Sequence, residues 1–164
     1  MIDSKIIKTD RIHLQNVSRE TLGELEDYSE SILNANKKIN LISSSTEKSI
    51  KSRHIYDSAQ TIDFIDNIEI NTCTDLGSGA GLPGIVLGIL MKHKKPQFKV
   101  IFYEKSFHKS KFLIDMSKKF NLNTEVHQKN IFEEKNLSTD VIIARAFKPL
   151  PMIFEIAKKN FKSF

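Results

Sequence analysis

The chain has 164 residues, 40% of them apolar, which is enough for one domain with a buried core. Lysine and arginine number 25 against 20 acidic residues, a net charge of +5 that fits a polyanionic partner without requiring one. One cysteine excludes an internal disulfide framework, no apolar run is long enough to span a membrane, and the early charges leave no signal-peptide core. The expectation is a cytoplasmic protein with no membrane partner.

In chain order, residues 1–18 show no strong period and read as a lead-in. Thr21-x-x-Glu24 has capping-box spacing. Leu22, Leu25, Tyr28, Ile32, Ala35 and Ile39 then recur at intervals of three and four, as on one face of a helix. Ser44-x-x-Glu47 is a second capping-box pattern, expected to open a helix carrying Arg53, His54, Asp57 and Ser58. A short apolar segment, Ile62 to Ile65, leads to a strand at residues 71–74. Residues 85–91 are apolar all round, as a buried helix would be. Lys92 to Pro96 reads as a basic surface turn. Lys99 to Tyr103 reads as a second strand ended by Glu104. Phe112, Leu113, Met116 and Phe120 mark a helix, Thr124 to His127 a third strand, and Asp140 to Ala144 a fourth. Pro149 and Pro151 stop that strand before a last helix bearing Ile153, Phe154, Ala157 and Phe161.

Strands alternating with helices imply right-handed crossovers and a doubly wound parallel α/β sheet. The expected division is a helical N-terminal extension over 1–68 and a cofactor-binding core over 69–164, packed as one globular unit. Such sheets bind ligands beyond the carboxyl ends of their strands. Gly77, Glu104, Asn130 and Arg145 each follow a predicted strand and so can converge on one crevice.

The stretch Asp75-Leu76-Gly77-Ser78-Gly79-Ala80-Gly81-Leu82-Pro83-Gly84 lies between the first strand and the buried helix. Glycines there permit positive φ and close approach of a ligand, and the helix offers unpaired N–H groups. Gly79-x-Gly81-x-x-Gly84 formally satisfies the dinucleotide fingerprint, with Glu104 about 20 residues on. In that fingerprint, however, the first glycine follows the strand directly. Here an acid ends the strand, where it would repel a pyrophosphate and suit a sulfonium or ammonium group. Asp-x-Gly-x-Gly-x-Gly resembles the first motif of S-adenosylmethionine (SAM)-dependent methyltransferases, and it would put Asp75 near the amino acid part of SAM. Glu104 can accept from both ribose hydroxyls in either case. Asn130 and Ile131 offer a polar group and a main-chain N–H to an adenine edge. Arg145 needs a partner, either a carboxylate or a phosphate. His54 and Asp57, one helical turn apart, form either an acid–base pair or a local bond that pins a helix. Positioning is the favoured reading, with Arg53 reaching a phosphate. No spacing suggests a metal site, no nucleophile elbow is present, and no catalytic side chain is assigned. Cys73 reads as a small core residue.

Ile39-Asn40-Leu41, Arg53-His54-Ile55-x-Asp57-Ser58, the glycine block from Asp75 to Ile85, Lys111-Phe112-Leu113 and Ala144-Arg145-Ala146-Phe147 together resemble the bacterial small-subunit ribosomal RNA methyltransferase G family, also called glucose-inhibited division protein B. The resemblance implies a Rossmann-like SAM-dependent methyltransferase that methylates N7 of a guanine in 16S rRNA. It also implies SAM as cofactor and 16S rRNA or the 30S subunit as partner, and the expected state is a monomer. By position it puts Gly77, Leu82, Asn130, Ile131 and Arg145 on SAM. Gly79 and Glu104 join them from the cradle itself, and Arg53 and His54 are the candidates for touching RNA. Phe107-His108-Lys109 stands where the family often has a basic pair. The family's sheet has seven strands and four are counted here, so the sheet is expected to be truncated after the fourth. The alternatives are an NAD-binding oxidoreductase and a non-catalytic RNA-binding or ribosome-assembly factor.

Overall fold

The computed structural model describes residues 14, 17–65 and 69–162, so the lead-in expected over 1–18 lies largely outside the described residues. Helix α1 (Arg19–Asn36) starts earlier than its capping-box pattern indicates. The Ser18 hydroxyl accepts from Thr21 N at 3.1 Å, which puts Thr21 inside the first turn. Glu24 reaches across to Lys92 at 2.5 Å, so a distant partner takes the carboxylate that the pattern reserved for a cap. Asn36 ends the helix, its Oδ1 accepting from Leu41 N and Ile42 N at 2.8 and 3.0 Å.

The second capping box does not form either. Glu47 accepts from Asn36 Nδ2 at 2.6 Å, and Ser44–Ser49 is a 3-10 turn with Ser43 before it. Lys51–Tyr56 then winds as a π-helix and runs into the short α2 (Asp57–Ala59). This rare winding re-aims side chains relative to an α-helix and recurs at functional positions. Arg53 and His54 lie on it. Helix α3 (Ile62–Ile65) follows.

Four strands make the sheet: β1 (Thr72–Leu76), β2 (Lys99–Tyr103), β3 (Thr124–His127) and β4 (Val141–Ala144). All pair in parallel, in the order β3-β2-β1-β4. Helix α4 (Gly84–Met91) and helix α5 (Phe107–Lys119) cross between successive strands, and α6 (Leu150–Asn160) follows β4. The Asp140 carboxylate accepts from the N–H groups of Asn71 and Thr72, both at 2.8 Å, and so fixes where β4 meets β1.

Side-chain alternation splits the sheet between two cores. Val100, Phe102, Val141 and Ile143 point into the larger one, with Tyr28 and Ile32 of α1 and the whole of α4. Ile101, Tyr103, Ile142 and Ala144 point into the smaller one, with Ile131, Ile156 and Phe161. Helix α4 is buried on every side, which is why its sequence shows no polar face. Each fully buried Ile or Leu there contributes about 1.5–3 kcal/mol, against about 0–1 kcal/mol for an exposed ion pair such as Lys51–Glu26. Burial by α1 and α4 therefore decides the fold, and surface pairs trim it.

Gly84 marks how tightly α4 sits on the sheet. A Cβ there would collide with the Phe102 ring and stand 2.6 Å from Asp75 Oδ2. Gly23 of α1 has nothing within 4 Å of its Cβ position. Gly84→Ala is expected to lose about 1–3 kcal/mol by overpacking. Gly23→Ala is expected to gain about 0.5–1 kcal/mol from helix propensity. Urea unfolding of the two variants checks both signs.

Candidate cofactor and substrate site

Register brings the strand ends level. Leu76 pairs with Tyr103 on one side and Ala144 on the other, and Tyr103 pairs with His127. The residues that follow, Gly77, Glu104 and Arg145, therefore start from one line at the sheet's crest. Gly77, Gly79 and Gly81 have φ of +65°, +55° and +84°, a left-handed run that side chains rarely tolerate. Gly77 N and Ser78 N both donate to Tyr103 O, at 2.9 and 3.3 Å, which extends the β1–β2 pairing into the turn.

Two carboxylates hold this turn. Glu104 accepts from Gly79 N at 2.9 Å through Oε2 and from Ser106 N at 2.8 Å through Oε1. Asp75 is 1% exposed, and its Oδ2 accepts from Gly84 N at 3.0 Å, at the start of α4. Its Oδ1 is buried and has no hydrogen-bond partner. Burial, with Glu104 adding to it against the opposing Gly84 N–H, pushes the Asp75 carboxyl up to about 7. The sequence placed Asp75 beside a ligand. The structure turns it inward, to cap the helix behind the turn. Tyr28 closes the other end, its hydroxyl donating to Ala80 O at 2.5 Å.

A cavity of about 480 Å³ opens over the turn, within the range of small-molecule sites. Gly77, Tyr103, Glu104, Asn130, Ile131, Phe132 and Phe147 are among its walls, with Lys105, Lys109, Lys129 and Lys148 around them. A Cβ on Gly77 would run into the Phe147 ring, so only glycine fits that wall. Asn130 caps the 3-10 turn Ile131–Glu133, and Ile131 is buried in the smaller core. The cavity therefore gathers Gly77, Glu104, Asn130 and Ile131. Gly79 meets it through Glu104. Leu82 is 7% exposed in the larger core, just before Pro83, and supports the turn from beneath.

Arg145, Arg53 and His54 meet beside the crest. Arg145 Nη1 donates to His54 Nδ1 at 3.0 Å, and Nη2 donates to the Arg53 carbonyl at 2.7 Å and pairs with Asp57 Oδ2 at 3.1 Å. Since His54 Nδ1 accepts, its Nε2 carries the hydrogen and donates to Thr46 Oγ1 at 2.8 Å. Burial and the Arg145 charge hold the His54 pKa below its ordinary value, against the opposing pull of Asp57. The histidine is thus neutral and fixed at both nitrogens. The partner that Arg145 needed is the Asp57 carboxylate, and the cluster ties the segment before the sheet to the loop after β4. Sequence reading missed Tyr103, Phe132 and the lysines Lys105, Lys129 and Lys148. Their positions follow from register and from a short turn, neither of which leaves a motif.

The sequence pattern of the family described as GidB, rRNA small subunit methyltransferase G, matches residues 21–163. Ribosomal RNA small subunit methyltransferase G of Pelagibacter ubique is 51% identical over 152 residues, which cover 92% of this chain and 71% of that protein. The chain belongs to the rRNA small subunit methyltransferase G family. The enzyme of that name from Cereibacter sphaeroides is 42% identical over 142 residues, covering 87% of this chain and 68% of that protein. Among solved structures, an O-methyltransferase from Klebsiella pneumoniae superposes with a TM-score of 0.59 at 12% identity, over 97% of this chain and 66% of that one. Coclaurine N-methyltransferase bound to N-methylheliamine and S-adenosylhomocysteine gives 0.57 at 16% identity, over 96% and 55%. At such identities the likeness shows the fold, a Rossmann-like methyltransferase sheet.

The Asp75 carboxyl has a definite pH signature. Its folded pKa is raised, so the native state holds the proton more tightly than the unfolded chain does. Its contribution is full below about pH 4, where both states are protonated, and is lost as pH rises through about 7. Asp75→Asn keeps an acceptor for Gly84 N and removes the titration. Denaturant midpoints from pH 4 to 8 are expected to fall for the wild type and to fall less for Asp75→Asn.

Proposed function

We propose that this chain transfers the methyl group of SAM to N7 of a guanine in 16S rRNA. The observation that carries this reading is the lysine-ringed cavity on a left-handed glycine turn, in a chain of the methyltransferase G family. The cavity fits the cofactor. It has a wall where a Cβ would collide at Gly77, a buried carboxylate at Glu104 for hydroxyl donors, and a capped turn at Asn130 and Ile131. SAM supplies, when bound, an electrophilic methyl group on a sulfonium centre.

The residues of the chain then act by positioning. Gly77 and Gly79 bring main chain, not side chain, against the cofactor. Glu104 spends one hydrogen bond per oxygen on Gly79 and Ser106 and keeps acceptor capacity for ribose hydroxyls. Asn130 and Ile131 border the adenine end. Leu82 sets the turn from below. Arg145, gripped by Asp57, His54 and the Arg53 carbonyl, holds Ala146 and Phe147 in the cavity wall at the cofactor's edge. Arg53 and His54, beside that cluster, are the candidates for touching RNA. N7 of guanine carries an in-plane lone pair, so no side chain has to remove a proton before attack. A site with no general base in contact with the base is sufficient, and rate comes from orientation. The major groove of an RNA helix is deep and narrow, so the guanine is reached unpaired or before its helix closes.

In this reading residues 69–164 carry the cofactor and 1–68 form an extension whose π-helix braces the loop after β4. The protein works as a cytoplasmic monomer on 16S rRNA or the 30S subunit. Among the described residues no helix is long and apolar enough to cross a membrane.

The test is transfer of labelled methyl from SAM to 16S rRNA and to 30S particles, followed by mapping of 7-methylguanine. One modified guanine is expected. Binding of the RNA with no modification supports an assembly factor instead. In a thermal-shift assay, SAM at about 100 times its Kd is expected to add about 2.7 kcal/mol of stability, and NAD none. Stabilisation by NAD alone contradicts the proposal. Gly77→Ala is expected to weaken SAM binding about tenfold or more, since its Cβ displaces Phe147 into the cavity.

A further inference from the structure

We infer that Tyr28 of α1 is a positioning residue for the cofactor turn, an assignment that rests on the SAM-binding part of the reading above. Its hydroxyl holds the Ala80–Gly81 peptide in the orientation that SAM binding needs. Tyr28 stands on the apolar stripe of α1 between Leu25 and Ile32 and has no exposed surface. A phenylalanine would fill the same space. A hydroxyl buried there costs free energy unless it is bonded. It donates at 2.5 Å to Ala80 O, 52 residues further along the chain. Burial and the Asp75 charge push the Tyr28 phenol well above its ordinary pKa, so it keeps its proton and stays a donor.

The bond falls on the part of the turn with least stiffness of its own. Ala80 is buried, and the glycines on either side of it, Gly79 and Gly81, have φ of +55° and +84°. Glycine imposes little torsional preference, so the peptide group between Ala80 and Gly81 takes its orientation from its partners. It is held at both ends. The Gly81 N–H donates to Ser78 O at 2.7 Å, and the Ala80 carbonyl accepts from Tyr28. Without the hydroxyl that carbonyl is a buried acceptor short of its partner, which favours rotation of the peptide toward another donor. Rotation there displaces Gly79, whose N–H Glu104 fixes beside the cavity. A turn that spends part of its time rotated binds cofactor with an affinity reduced in proportion.

Helix α1 is itself firmly placed. The Tyr28 ring meets the Phe120 ring edge-on, with centroids 6.1 Å apart, and Glu24 one turn earlier pairs with Lys92. A Cβ on Gly81 would stand 3.2 Å from the Tyr28 hydroxyl, so helix and turn are in direct contact. The N-terminal extension thus reaches the back of the cofactor cradle, although no described residue of α1 lines the cavity.

The test compares Tyr28→Phe, which removes one oxygen and keeps the ring, with Ile32→Val, which trims a fully buried side chain one turn further along α1. Both are made in the 164-residue chain and measured in sucrose, which favours the native state of each. Melting temperature, SAM Kd by calorimetry, and kcat and SAM KM for methyl transfer to 16S rRNA or 30S particles are read. Tyr28→Phe is expected to raise Kd and KM for SAM about tenfold. Its kcat at saturating SAM is expected to stay within about twofold of wild type, because the occupied turn is the same. Ile32→Val is expected to lower the melting temperature comparably and to leave SAM Kd within about twofold. Wild-type SAM affinity in Tyr28→Phe overturns the inference. So does an equal loss of affinity in Ile32→Val, which would mean that any loosening of α1 is felt at the turn, and so does a fall in kcat at unchanged SAM KM. The Kd comparison needs no methyl transfer. An unaltered chain that binds SAM and modifies no RNA therefore contradicts the proposed reaction, and Tyr28 is still decided by Kd; one that binds no SAM overturns both.

Discussion

The structure depends on how three glycines with left-handed dihedrals are kept in place at the crest of a parallel sheet. Gly77, Gly79 and Gly81 all have positive φ, and such a run has little intrinsic preference for one shape. It is fixed from outside, by the Glu104 carboxylate on Gly79 N, the Tyr103 carbonyl on Gly77 N and the Asp75 carboxylate on Gly84 N. These three clamps come from β1, β2 and the first residue after β2. The sheet's own pairing therefore sets the shape of the cradle. The burial of α4 behind it keeps the clamps dry, which is also why Asp75 holds its proton to about pH 7.

In the proposed reading, this arrangement lets one fold build a methyl-transfer site in which no side chain acts as acid or base. Four ionisable groups near the crest are occupied with geometry. Asp75 caps a helix, Glu104 bridges two amides, His54 bonds through both nitrogens, and Arg145 is divided among three partners. Such a constellation places reactants and leaves bond making to their own electronic character. The π-helix at Lys51–Tyr56 contributes the Arg53 carbonyl and the His54 ring that hold Arg145 after β4.

Much of this was legible in the sequence. The second strand, Lys99–Tyr103, falls where the sequence puts it, because a parallel strand with neighbours on both sides reads as a short apolar run, and the half-buried third strand, Thr124–His127, falls where expected at the sheet's edge. The glycine block, Asp-x-Gly-x-Gly-x-Gly, resembles the first motif of SAM-dependent methyltransferases, and the family and fold agree with that cofactor class. Other features were not legible, for physical reasons. Both capping-box patterns failed because Glu24 and Glu47 found partners elsewhere, Lys92 far along the chain and Asn36 on the preceding helix. Asp75 was expected at the ligand and is turned inward, since sequence does not say which way a strand-end carboxylate faces. The Asp57 partner of Arg145 is distant in sequence, and the exposure of Phe132 arises from one capped turn. Tertiary partnership, not local pattern, decided each of these.

The central claim is that the clamped glycine turn is the cofactor cradle, and the chain's six glycines make it directly measurable. Labelling with 15N-glycine gives one amide signal for each of Gly23, Gly77, Gly79, Gly81, Gly84 and Gly88. On titration with S-adenosylhomocysteine, the account predicts large shifts for Gly77 and Gly79 and none for Gly23, which lies on the outer face of α1. Saturating S-adenosylhomocysteine that leaves Gly77 and Gly79 unmoved would contradict it.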